Sequence, residues 1–283
     1  MFRKFRTHPY YLLRYMLGWA ITLGLVTVWF WTPLGGASNV WLLVLMIALI
    51  ISTRFDALLL AVIPAILLTP EPLTTVLWLV LLFPVTWMLG VVGAVFIHNA
   101  SHGQFRPRWL NSVIGELTSW FLRTNLLGWK LVHYYHHKHA DDPKLDPHCP
   151  GSMTFWSYAN CFPIATMRYL DARHKEIHQL PAWYYGIAGV AALSGFALMP
   201  LSWLMLLGPT LFAAVWMPIL CSGWWLFTVI NYHTHPVGAN GRNEPVNLDS
   251  RYWHHLVNRV GFGVLYHAAH HRNARLFSSN PKT

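Results

Sequence analysis

Residues 73–97 read LTTVLWLVLLFPVTWMLGVVGAVFI and run without a charge into His98-Asn99-Ala100-Ser101-His102. The run exceeds the ~20 apolar residues that carry an α-helix across the ~30 Å hydrocarbon core of a bilayer. The two histidines at its end stand four apart, so on a helix their rings leave the same face. A membrane span therefore delivers a pair of metal-type ligands at one of its ends.

The pattern recurs twice. His133-Tyr134-Tyr135-His136-His137 and His267-Ala268-Ala269-His270-His271 each combine i, i+3 and i, i+4 spacing, which aims several imidazoles at a common point. Imidazole is the commonest metal ligand among side chains. Three such clusters, in a chain with only ten Asp and Glu, point to a built metal site.

The rest of the chain supplies the membrane. It is 55% hydrophobic and 11% charged, against about 25% charged in soluble domains. Further apolar runs fall at about 11–31, 40–51, 57–68, 183–206 and 209–230. These imply an all-α, polytopic integral membrane protein with about four to six transmembrane helices. The short runs at 40–51 and 57–68 cross twice or form a re-entrant hairpin, and either choice leaves the parity downstream unchanged. The basic start Met1-Phe2-Arg3-Lys4-Phe5-Arg6 is followed by no cleavage-type signal, so the first run is expected to stay as a span.

Charge orients the chain. The net charge of +10 accompanies no nucleic-acid motif, which excludes nucleic acid as the partner. The expected outer loops, 32–39, 69–72 and a turn near 207, hold no Lys or Arg, and Arg54 falls in the ambiguous short pair. The positive-inside rule then puts all three clusters on the cytoplasmic face, of the inner membrane if the source is bacterial. One membrane-embedded domain, 1–283, is expected, with cytoplasmic cap segments at about 98–182 and 231–283. Within the cap, 109–129 and 155–170 mix aromatic, apolar and basic residues as helices on a headgroup layer do. Cys149, Cys161 and Cys221 are odd in number and far apart, and read as free thiols.

One more histidine follows the last span in Asn231-Tyr232-His233-Thr234-His235, where spacing does not choose between His233 and His235. Adding one to the clusters gives nine imidazoles, more than one tetrahedral zinc can use, so two metals fit better. Thiolate is absent from the clusters and imidazole suits Zn, Cu, Fe and Ni. Neutral nitrogens at the base of an apolar bundle suit redox iron acting on a lipid-soluble chain. His174 and His178 also stand four apart, but in a charged stretch that reads as a solvated helix face. His139, His254 and His255 border the clusters.

In order and placement, HNASH, HYYHH and HAAHH resemble the histidine boxes of the membrane fatty acid desaturase and hydroxylase superfamily, and NYHTH resembles its additional Asn-x-x-x-His element. The resemblance covers about residues 98–271. It implies a non-haem di-iron centre ligated by His98, His102, His133, His136, His137, His235, His267, His270 and His271, with no separate catalytic residue. It also implies O2 as co-substrate and oxidation of an unactivated C–H bond, most simply desaturation of a fatty acyl chain. Asp141 and Asp142 resemble acidic residues that follow the second box in the family and, with Asn231, are candidates to orient an imidazole. The chain departs from the family in reading Arg272-Asn273-Ala274-Arg275 after the third box, without the usual proline. No ferredoxin, rubredoxin or cytochrome-type motif is present and only twelve residues follow His271, so an external electron donor of one of those types is expected.

The boxes identify the oxidant and not the product, so a hydroxylase, a terpenoid ketolase or an alkene-forming fatty acid oxidase shares the pattern. Among other classes, a metal transporter would carry polar residues inside its spans, and a bis-histidine haem protein would pair histidines across helices. The acyl tail is expected in a closed, dry channel beside the irons, with basic residues such as Arg106 and Arg108 gathering its acidic head.

Overall fold

The computed structural model describes residues 1–30, 37–52 and 54–281. In chain order the helices are α1 (Phe2–Thr7), α2 (Tyr11–Trp29), α3 (Ala37–Ile51), α4 (Phe55–Leu60), α5 (Val62–Leu67), α6 (Pro72–His102) and α7 (Leu110–Phe121). They continue as α8 (Leu126–Lys138), α9 (Phe155–His178), α10 (Ala182–Leu211), α11 (Met217–His233), α12 (Tyr252–Val260) and α13 (His267–Arg272), with a π-helical turn at Phe212–Trp216 before α11. Among the described residues there is no strand, only isolated antiparallel bridges at Val237–Asn243 and Asn247–Tyr266. The chain is all-α as expected. Cys149, Cys161 and Cys221 are free thiols.

Among the described residues three helical stretches are long and apolar enough to cross a membrane: Tyr11–Trp29, Pro72–His102 and Ala182–His233. The third has 52 residues, enough for two crossings at about 20 residues each. Its backbone leaves helical geometry at Gly208 (φ 70, ψ 166), just before Pro209. Only glycine takes that φ without strain, and the proline supplies no N–H to continue the ladder. Leu207-Gly208-Pro209 is thus the break expected between the last two runs. The 15 residues of α3 extend about 22 Å at 1.5 Å per residue, short of a perpendicular crossing, and α4 and α5 pack against that helix. Of the expected loop 32–39, residues 32–36 lie outside the described residues.

The chain divides into two compact units, Met1–Thr86 with Leu170–Pro218, and Trp87–Tyr169 with Ile219–Thr283. In the first, α2 packs on α10. Leu12, Met16, Leu23 and Thr27 form the buried stripe of α2, and Tyr184, Ala188, Ala191, Gly195 and Met199 that of α10. Small residues in such a stripe let helices approach closely in lipid. The opposite side of α2 exposes Ile21, Leu25, Val28 and Trp29, an apolar face that suits hydrocarbon and not water.

The first unit also corrects the reading of His174 and His178. His174 is fully buried, edge-on to Phe5 at 5.1 Å and stacked on Tyr184 at 5.4 Å, while His178 Nε2–H donates to the Phe5 carbonyl at 2.7 Å. Only the other side of that turn is solvated, where Lys175 pairs with Asp171 and Arg173 with Glu176. The charges at 171–176 mask an apolar contact with a residue far away in sequence.

In the second unit, α6 and α11 meet at Gly90, where a Cβ would lie 2.9 Å from the Gly223 nitrogen. The stretch expected at 109–129 divides, because α7 ends at Phe121 and α8 begins at Leu126. Asn125 caps α8, its Oδ1 accepting the Gly128 N–H at 2.6 Å. α7 is inside-out: Asn111, Gly115 and Ser119 are buried, whereas Trp109, Val113 and Leu117 are exposed.

Candidate metal centre

Every ring of the candidate centre belongs to the second unit. α6 ends on His98 and His102, α8 carries His133, His136 and His137, and α13 carries His267, His270 and His271. His235 follows α11 by two residues. These nine form two groups: His98, His102, His133, His137 and His270 in one, and His136, His235, His267 and His271 in the other. Within each group the candidate ligand atoms all lie within 4.8 Å of one another.

Helical geometry explains the division. His133 and His137, four apart, share a face and join the first group, while His136 is turned about 100° from His137 and joins the second. On α13 the assignment is reversed, with His267 and His271 in the second group and His270 in the first. Each of the two helices therefore feeds both groups, and α6 and His235 complete one group each.

The rings converge through Nε2. In the first group, Nε2 to Nε2 separations are 2.8 Å for His102–His133, 3.0 Å for His98–His270, and 3.1 Å for both His133–His137 and His137–His270. In the second they are 3.1 Å for His267–His271 and 3.2 Å for His136–His271. His235 Nε2 is buried without a hydrogen-bond partner among the described residues. Single N–H groups do not satisfy runs of ring nitrogens in which those of His133, His137, His270 and His271 each face two others, whereas a cation does. Nitrogens held about 2.1 Å from a metal at right angles lie about 3 Å apart, so the donor set fits a metal ion in each group.

Burial keeps the rings in the form that ligates. Removed from water, His133, His136, His267 and His270 are held well below the usual 6.5, and His137 falls to about 3 and His271 to about 2. A neutral imidazole offers its lone pair to a metal.

Carboxylates orient two rings, both in the second group. His136 Nδ1–H donates to both oxygens of Asp146, at 2.9 and 3.0 Å, with both side chains fully buried. His235 Nδ1–H donates to Asp141 at 2.7 Å. Each bond fixes the tautomer that leaves Nε2 free. Among the described residues no carboxylate bonds a histidine of the first group, where His98 Nδ1 instead meets the Asn99 amide oxygen at 3.0 Å.

Of the residues expected to orient an imidazole, Asp141 does so from a left-handed backbone position (φ 67). Asp142 does not. Its exposed carboxylate accepts the N–H groups of Lys144 and Leu145 at 2.8 and 3.0 Å, closing the turn that brings Asp146 back to His136. Asn231 donates to the Phe227 carbonyl at 2.7 Å, and the His148 ring lies 5.1 Å from that of His136. Asp146 and His148 escaped the sequence reading because they lie nine and eleven residues beyond His137 with no helical spacing to it. The available signal was the compact Asp141-Asp142-Pro143-Lys144-Leu145-Asp146-Pro147-His148 turn. His233 stacks on Phe155 at 5.5 Å and is in neither group. His139 stacks on Tyr135, and His254 caps α12 at Arg251.

Apolar side chains seal one side of the centre. Ala94, Trp129, Phe227, Ile230 and Val264 enclose, with His98, His133, His267 and Asn231, a cavity of about 20 Å³. Trp129 stacks on His133 at 5.6 Å and packs on Phe227 at 4.4 Å. This cavity touches rings of both groups and holds about one water-sized sphere, so it is far narrower than the acyl channel expected.

The sequence model of the family described as Fatty acid desaturase matches residues 72–279, from the start of α6 to beyond α13. Searches of curated proteins and of solved structures returned no match.

Proposed function

The chain belongs to the fatty acid desaturase family, a family of lipid-oxidising oxidoreductases with a histidine-held metal centre, and on that premise we propose that it desaturates a fatty acyl chain. The cofactor in this proposal is a pair of irons, held by His98, His102, His133, His137 and His270 on one side and by His136, His235, His267 and His271 on the other. The observation that carries it is the five-and-four grouping of Nε2 atoms. Five imidazoles exceed the four protein ligands of a zinc site, and an all-nitrogen set without thiolate suits iron.

Irons bound there supply O2 activation and removal of hydrogen from an unactivated C–H bond. The balanced reaction consumes O2, two electrons and two protons, converts –CH2–CH2– to –CH=CH–, and releases two waters. The electrons come from a separate ferredoxin, rubredoxin or cytochrome-type donor. Asp146 and Asp141 hold His136 and His235 in register. Trp129, Phe227, Ile230, Ala94 and Val264 exclude water and confine one methylene beside the rings. Residues 1–283 act as one membrane-embedded domain. The centre lies on the cytoplasmic face, of the inner membrane if bacterial, a reading supported by the lack of Lys and Arg at 32–39, 69–72 and 207.

Lipid mass spectrometry after expression with a compatible reductase tests the reading. A new double bond, lost in His270→Ala, is expected; a hydroxyl, ketone or terminal alkene instead would replace desaturation with the corresponding oxidation. Metal analysis under iron-replete expression should give two irons per chain, and one stoichiometric zinc would overturn the centre.

A further inference from the structure

The first residues of a domain are usually loose unless tied down, and here they are tied at several points. Phe5 is fully buried against His174, and its carbonyl accepts the His178 ring N–H at 2.7 Å. The Pro9 carbonyl accepts the Tyr184 hydroxyl at 2.9 Å, and that hydroxyl oxygen accepts the Leu13 N–H at 3.1 Å. All these residues belong to the first unit. The turn between α1 and α2 is therefore fixed, and beside it opens a cleft of about 510 Å³.

The cleft is lined by basic and tyrosine side chains. Lys4, His8 and Arg14 line it together with Tyr10, Tyr11 and Tyr15. The first acidic residue of the chain is Asp56, and neither Lys4 nor Arg14 has an ion-pair partner among the described residues. The N-terminus of α2 has no side-chain cap and no acid in its first turn. α2 is also a candidate membrane span, so the cleft sits at the boundary where tyrosine rings and lipid headgroups meet.

We infer that this cleft is a binding site for a phosphate ester anion at the membrane boundary. A phosphate offers only acceptor oxygens, which match an ammonium, a guanidinium fork and phenol hydroxyls. Positive charge that merely orients a chain in the membrane needs no fixed geometry, whereas this turn is anchored by a buried ring and three hydrogen bonds. The volume lies within the usual range for a small-ligand site. Two sources share the chemistry: the headgroup of an anionic phospholipid, and a soluble phosphate ester.

The test compares two charge-matched double variants. Lys4→Gln/Arg14→Gln removes two cations from the cleft, and Arg3→Gln/Arg6→Gln removes two from the same segment outside its lining. Full-length protein is loaded into phosphatidylcholine nanodiscs with graded phosphatidylglycerol, and retained lipid is counted by native mass spectrometry. The cleft variant should lose phosphatidylglycerol affinity about tenfold or more, the outer variant less than about twofold, and Lys4→Arg/Arg14→Lys should keep it. If wild type is indifferent to phosphatidylglycerol but binds glycerol 3-phosphate, with the same dependence on Lys4 and Arg14, the site stands and its ligand is soluble. Equal loss in both double variants, or no binding of either probe by wild type, would overturn it.

Discussion

His136 and His137 are neighbours in the chain, yet their rings join different metal groups. Removing either should therefore strip one site and spare the other. His136→Ala and His137→Ala are each expected to retain about one metal per chain where the parent holds two, as measured by elemental analysis after gel filtration. His174→Ala, outside both groups, should keep the full complement while melting at a lower temperature, because it empties a buried contact with Phe5 and Tyr184. Loss of both metals in either single variant would show that the groups are not independent.

Asp146→Asn should weaken metal binding about ten- to a hundredfold. The amide keeps the shape but presents a poorer acceptor to His136 Nδ1–H and admits the wrong tautomer. Asp142→Asn should change affinity little, since that carboxylate only closes a backbone turn. Chelator competition reads both, and indistinguishable affinities would remove Asp146 from its positioning role.

Stripping the metal should make stability fall in mild acid. The unfolded chain takes up protons on its histidines as pH falls through 6.5, whereas burial keeps the folded rings neutral, down to about 3 at His137 and about 2 at His271. The unfolded state then binds more protons, so stability is fully present above about pH 6.5 and declines below it. Asp146 opposes this. Burial raises it from 3.8 to about 7, so over that window it binds more proton when folded, but it is one group against six histidines. Thermal melts of chelated protein between about pH 8 and 5 should decline toward acid; a flat profile would contradict the neutral buried rings.

Phe227→Leu should enlarge the cavity without adding a polar atom. The expected result is a shift in the oxidised carbon or in the accepted chain length, with metal content unchanged. Trp129→Phe should act in the same direction and also loosen His133, on which Trp129 stacks. Unaltered product positions in both variants would exclude these residues from the substrate wall.

The features legible in the sequence are those that depend on local spacing. A four-residue interval puts His98 beside His102, and Leu207-Gly208-Pro209 announces its own break. The division of the second and third clusters goes against the expectation of one common point for each, because position 136 is turned about 100° from 137 and 270 likewise from 271, which sends neighbouring rings to different groups. The features that stayed hidden depend on distant chain. Asp146 reaches His136 only because its turn folds back, and His174 is buried by Phe5, 169 residues earlier in the sequence. The charges around His174 suggested solvent because residues on one helical turn face different surroundings.

α7 has Asn111, Gly115 and Ser119 inward and Val113 and Leu117 outward, with exposed Trp109 at its N-cap, and it packs on α8, which carries three of the nine rings. Water is a poor solvent for that outer face, and lipid is a good one. If lipid covers that face, the bilayer acts as a wall of the second unit, and a detergent that strips lipid from α7 should remove support one helix away from the histidines. Metal loss during purification would then report delipidation before it reported any weakness of the ligands themselves.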